Sequence, residues 1–255
     1  MRGAVAFLTP LGKAVVPRPS SLVWFPLVGG GIGALLGLLW WGLARAWPPG
    51  VVAALVVIAD LGLTGMLHVD GLVDAADGLL PAHLPHERRL AVMKESTSGS
   101  FGIASALGVV LLRWVGLAAI RPSILLLVGI WAGSRAIMAV VATTVPYARP
   151  GGGLASAFIE PAPGDGSRSG RGNRRSGRSV RKPVLVGSLG AVLALGCCMA
   201  WRPLAGAVTV LAEVAAATLV VWFARRRIGG FTGDVLGAAG IVAETVALVV
   251  AAARW

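Results

Sequence analysis

Apolar residues run along this chain in long blocks, not in the two-residue alternation of a half-buried strand or the narrow stripe of a surface helix. A block of about 20 mostly apolar residues can cross a bilayer as a helix. Seven blocks qualify, at roughly 22–44, 50–68, 101–119, 122–144, 183–200, 203–223 and 234–253. The pattern predicts an all-α fold, a polytopic transmembrane helical bundle of about seven spans, forming one integral-membrane domain over residues 1–255. A further helix or re-entrant turn around 69–80 is left open. The first block carries Gly29, Gly33 and Gly37 at four-residue spacing, a stripe along which a neighbouring helix can approach closely.

Composition strengthens this picture. The chain is 56% hydrophobic and 13% charged, about half the charged share of a soluble domain, and disorder is excluded by the same excess of apolar residues. Lys and Arg number 23 against 11 Asp and Glu, a formal charge of +12, which by itself would suit a nucleic-acid binder. The placement argues for topology instead, because the basic residues fall between the apolar blocks. With the N-terminus in the cytoplasm and seven crossings, 17 basic residues lie on the cytoplasmic side and four outside. That asymmetry follows the positive-inside rule, predicts an N-in orientation and leaves no nucleic-acid partner to invoke. The stretch 160–182, EPAPGDGSRSGRGNRRSGRSVRK, reads as a flexible basic loop that sets topology, with attraction of anionic lipid or a polyanionic substrate as a second reading. Cys197 and Cys198 are adjacent inside an apolar run and have neither disulfide nor metal-ligand spacing.

Chemistry concentrates in two places. The stretch Leu63 to Gly78 reads LTGMLHVDGLVDAADG, and its Asp70, Asp74 and Asp77 stand at i, i+4 and i+7. On a helix they share one face, repel one another and have no adjacent Lys or Arg to relieve them. Hard oxygen donors at this density suit Mg²⁺ or Mn²⁺, which commonly bridge carboxylates to substrate phosphates. The second place, Ile228 to Asp234, reads IGGFTGD, a glycine turn entering the last block. Its Gly230, Thr232 and Gly233 can present backbone amides to a phosphate and Asp234 a carboxylate to a metal. Both places fall on the same predicted side of the membrane. Asp60, Arg135, Glu213 and Glu244 lie within predicted spans, where charge is costly enough to mark a site or a pair. Arg135 can meet phosphate or neutralise Asp60, and His68 lies off the three-acid face as either a structural or a functional residue.

These residues resemble a known family. LTGMLHVDGLVDAADG is similar to the signature of cobalamin synthases, the adenosylcobinamide-GDP ribazoletransferases. The resemblance extends to Phe7–Thr9, Phe25–Gly29, Glu87–Gly102, Pro146–Arg149 and Gly229–Ala238, in the family's order across roughly residues 5–250. Two departures stand out: Glu95-Ser96-Thr97 where Asp-Ser-Arg is common, and Gly153-Leu154-Ala155 where Gly-Leu-Gly is usual. The resemblance implies a transferase of vitamin B12 synthesis that uses Mg²⁺, joins adenosylcobinamide-GDP to α-ribazole or its 5′-phosphate, and releases GMP. It implies an integral protein of the bacterial cytoplasmic (inner) membrane with its active site facing the cytoplasm. Asp70, Asp74, Asp77 and Asp234 are then the metal ligands, Lys94, Arg135 and Arg149 the phosphate contacts, and His68, Asp74 and Lys94 the catalytic groups. Membrane lipid is the surrounding partner, and the oligomeric state is left open. Two other readings are a CDP-alcohol phosphotransferase, whose Asp-Gly-x-x-Ala-Arg is broken here by Val73 and Asp74, and a cation transporter, whose acids would sit near the midplane.

Overall fold

The structure, a computed structural model, describes residues 1–11, 18–149, 153–158 and 176–255. Among these residues every regular element is helical. In chain order they are α1 (Arg2–Leu8), α2 (Phe25–Leu43, entered through a 3₁₀ turn at Pro19–Trp24), α3 (Pro49–Leu63), α4 (Leu67–Leu79), α5 (His86–Val92), α6 (Ser100–Ala119), α7 (Ile124–Thr144), α8 (Ser176–Trp201), α9 (Pro203–Ile228) and α10 (Gly233–Ala251). A second 3₁₀ turn covers Leu154–Phe158. Six stretches are long and apolar enough to cross a membrane, or seven if α3 and α4 count as one bent span. The basic stretch read as a flexible loop at 160–182 lies mostly outside the described residues, and from Ser176 its last part belongs to α8.

The block expected at 50–68 does not continue as one helix. After α3, Gly65 and Met66 both take φ of 58°, and α4 departs at 86°. Consecutive left-handed residues cannot extend a right-handed helix. Glycine accepts that conformation freely, whereas Met66 bears it at a cost. The Thr64 hydroxyl donates to the Asp60 carbonyl at 2.7 Å and satisfies one of the end carbonyls of α3. With 13 residues, α4 is about 20 Å long, too short for a hydrocarbon core of about 30 Å. It cannot cross on its own, and it packs across the first turns of α10 and the start of α6.

The glycine stripe of α2 seats it on α7. A β-carbon at Gly29 or Gly33 would overlap the carbonyl oxygens of Trp131 and Leu127, and one at Gly37 would come within 2.7 Å of the Ile124 Cα. Close backbone approach replaces side-chain interlock here, as expected where the surrounding solvent is lipid. In α7 and α10, 72% of the span is buried, against 22% in α6, so these two form the middle of the bundle.

The ionisable residues inside the spans pair with one another. Arg113 donates to Asp60 at 2.5 Å and to Glu244 at 2.9 Å. Glu244 also takes Arg135 and the Ser134 hydroxyl, the latter at 2.7 Å, while the Trp131 indole donates to Asp60 at 3.0 Å. Two acids balance two guanidiniums, and the acceptors are met by several donors, the condition under which buried charge is tolerated. Arg135 therefore neutralises Glu244, and Asp60 finds Arg113. Glu213 stands apart, fully buried with neither carboxyl oxygen hydrogen-bonded to the described residues.

Candidate active site

A cavity of about 160 Å³ opens where α4, the first turn of α10 and the two stretches around Tyr147 and Ala155 meet. His68, Asp70 and Gly71 reach it from α4, Gly233, Asp234 and Gly237 from α10, and Tyr147 and Arg149 from the chain after α7.

Local sequence explains the assembly. Thr232 caps α10: its hydroxyl oxygen accepts the Val235 amide at 3.3 Å and its hydroxyl donates to Asp234 Oδ2 at 3.1 Å. Gly230 has no β-carbon to meet the Pro146 carbonyl. The two chains can therefore exchange bonds, Phe231 N to Pro146 O and Ala148 N to Phe231 O, each at 2.9 Å. That short bridge brings Arg149 to Asp234, Nη2 to Oδ2 at 2.8 Å. On the opposite wall, a β-carbon at Gly71 would stand 2.9 Å from the Asp234 carbonyl oxygen, and one at Gly237 3.3 Å from the His68 Cα. Glycines at both contacts let α4 lie directly on α10.

The three-acid face is divided in use. Asp77 accepts the Gly99 amide at 2.6 Å and the Gly102 amide at 2.8 Å, one on each oxygen, and so caps α6. Asp70 and Asp74 keep the company of Asp234. Burial, then the negative charge of Asp234 and of Asp70, raise the Asp74 carboxyl to about 6, with Arg149 opposing. Three carboxylates against one guanidinium leave an excess of negative charge. Among the described residues no three His, Cys, Asp or Glu close into a ready metal cage. A Mg²⁺ site does not require one, since one or two carboxylates plus substrate phosphates are its common form. The donor set fits that use.

Two buried polar atoms on cavity residues have no hydrogen-bond partner among the described residues, His68 Nε2 and Arg149 Nε. Burial, then the positive charge of Arg135, lowers the His68 imidazole to about 3, so it stands neutral with Nε2 able to accept a hydrogen bond, while the Arg149 Nε is a donor suited to an anion. Asp74, on the same helix as Asp70, is not among the residues that line the cavity, and the remaining residues expected at the site fall elsewhere. Lys94 is exposed in the link after α5 and does not line the cavity. Arg135 is held in the network within the spans, while Gly230 and Thr232 build the turn behind the cavity wall. Sequence reading missed Tyr147, Phe7 and Gly237 as lining residues. All three stood inside the motifs that carried the resemblance, so the signal was present without a role attached.

The sequence profile of the family described as cobalamin-5-phosphate synthase matches residues 1–252. An adenosylcobinamide-GDP ribazoletransferase of Chlorobaculum tepidum is 35% identical, the match covering 99% of this chain and 95% of that protein. One of Ectopseudomonas mendocina is 34% identical over 97% of this chain and 96% of its own length. One of Leptothrix cholodnii is 34% identical over 88% and 81%. No solved structure matches.

Proposed function

This chain belongs to the cobalamin-5-phosphate synthase family, and on that premise we propose that the cavity between α4 and α10 is where adenosylcobinamide-GDP and α-ribazole, or its 5′-phosphate, are joined with release of GMP. The enzyme is a transferase of cobalamin synthesis built as an integral membrane protein. The observation that carries the site is one cavity lined by Asp70, by the Arg149–Asp234 ion pair with the Arg149 Nε unpartnered, and by His68 with Nε2 unpartnered. The CDP-alcohol and transporter readings have no comparable support.

In this reading a ribazole hydroxyl oxygen forms a new bond to the cobinamide-bearing phosphorus, and the bond from that phosphorus to the GMP oxygen breaks. His68, neutral at Nε2, accepts a hydrogen bond from that hydroxyl and orients it, and the hydroxyl proton leaves to solvent as the new bond forms. Arg149, held in place by Asp234, directs its free Nε toward the phosphate oxygens. Asp70, Asp74 and Asp234 would hold Mg²⁺, and Asp77 fixes the wall beside them by capping α6. A bound Mg²⁺ would supply neutralisation of the charge that gathers on the phosphate oxygens as the bond breaks. Lys94 is an outer phosphate contact, suited to a substrate that extends beyond the cavity. The cavity volume of about 160 Å³ is below the ~300–1,000 Å³ of pockets that enclose a whole ligand. It admits the diphosphate and the attacking hydroxyl while the corrin ring stays outside. The site faces the cytoplasm of the inner membrane, the side on which the basic loops gather.

Asp74→Asn and Asp234→Asn test the shared site, since each keeps size and removes charge. Each should lower GMP release at least 100-fold, about 2.7 kcal/mol of barrier, while leaving membrane insertion intact. The double variant should lose little more than the worse single, because groups acting as one unit are not additive. Near-normal turnover of either single variant at limiting Mg²⁺ removes that residue from the site.

A further inference from the structure

Three consecutive arginines end α9, and the fold sends them to two sides. Arg227 lies over the Phe223 ring at 5.0 Å, and its carbonyl accepts a hydrogen bond from His86 Nδ1 at 2.9 Å, which ties this side to α5. Arg225 and Arg226 instead form the rim of a groove of about 590 Å³ between α7 and α9, walled by Ile137, Val141, Val221 and Trp222. Arg226 is stacked over the Trp222 ring at 4.7 Å, and Trp222 itself is 49% exposed. None of these residues lines the cavity between α4 and α10.

The groove has the polarity and depth of one membrane leaflet. From Thr218 to Arg226 on α9, and from Ile137 to Val145 on α7, it runs eight residues, or about 12 Å along each helix. Half of the hydrocarbon core is about 15 Å. Positive charge and an aromatic ring therefore stand at one end, at the level where tryptophan and arginine favour the polar border. Aliphatic walls occupy the rest. A soluble anion would use the rim alone, whereas an anionic lipid uses rim and walls together.

We propose that this groove binds one anionic phospholipid, its phosphate between Arg225 and Arg226 and one acyl chain along the α7–α9 walls. The site is independent of the catalytic reading. It would fix a lipid next to Pro146 and Tyr147, the turn that carries Arg149 toward Asp234.

The test is native mass spectrometry of the purified full chain in detergent, titrated with phosphatidylglycerol or phosphatidylcholine of identical acyl chains. One phosphatidylglycerol should be retained per chain with about a 30-fold preference, the product of two basic residues at the membrane surface. Arg225→Gln with Arg226→Gln should reduce that preference to parity, and the corresponding pair of Lys substitutions should restore most of it. Thr218→Phe, at an exposed position inside the groove, should weaken retention of both lipids. Equal binding of the two lipids by the parent chain would overturn the proposal. So would a preference that survives the double Gln substitution, unchanged retention in Thr218→Phe, displacement of lipid by inorganic phosphate, or pairing of two chains in place of lipid.

Discussion

At Asp77 both carboxylate oxygens accept backbone amides, so this acid fixes where α6 begins as well as standing at the edge of the acidic site. Asp77→Ala should cost about 1–2 kcal/mol, the range for removing a charged helix cap, and Asp77→Asn less. Denaturant unfolding in detergent micelles measures both, and an Asp77→Ala protein as stable as its parent would refute the capping role. The spacing of Asp70, Asp74 and Asp77 placed them on one helical face without the structure. It could not reveal that the amides of Gly99 and Gly102 would arrive at the third acid, because nothing local encodes a partner more than 20 residues away. Arg89 was hidden for the same reason. In the sequence it is one of several loop charges, whereas in the fold it is buried and donates to the carbonyls of Gly78, Leu79 and Pro81 at 2.9–3.0 Å, closing the end of α4.

Among the elements, the spans were legible because hydropathy sums over many residues and tolerates local exceptions. The break between α3 and α4 was legible only as the open possibility of an extra helix or re-entrant turn around 69–80; its place was not, since Gly65 and Met66 pass within a span by hydropathy and their left-handed backbone leaves no mark on it. The glycine stripe of α2 was legible as a contact face, and the fold supplies its partner, α7. Gly33→Val should cost about 3 kcal/mol or more, the upper range for overpacking, because the atom it meets is the Leu127 carbonyl oxygen and backbone cannot rotate away. Gly31→Val is the control. A β-carbon there meets nothing within 4 Å, and the substitution should leave stability nearly unchanged. Thermal unfolding of the two proteins in the same detergent checks the contrast, and equal losses would sink the packing argument.

For the molecule as a whole, the positive-inside rule applied to the distribution of Lys and Arg predicts that the loops at 82–100, 145–182 and 224–233 share one side of the membrane, the cytoplasmic one. In a protein with Cys197 and Cys198 replaced by Ala, single cysteines at Arg88 and Arg226 should react only from the cytoplasm, and cysteines at Arg45 and Arg121 only from outside. Labelling of any of the four from the wrong face would reverse or break the topology. The hydrophobic pattern could yield this arrangement of spans, but not the meeting of α4 with α10. That contact depends on Gly71 and Gly237 admitting a neighbour that no periodicity points to. It also sets a clock. Asp234 leaves the ribosome about 160 residues after Asp70, roughly 8–30 s later at ~5–20 residues per second. Throughout that interval the growing chain carries its acidic helix without the wall that completes the cavity. On the proposed function, a half-made chain would lack Asp234 and the wall it stands on, and the site would be complete only once the last helix has met α4.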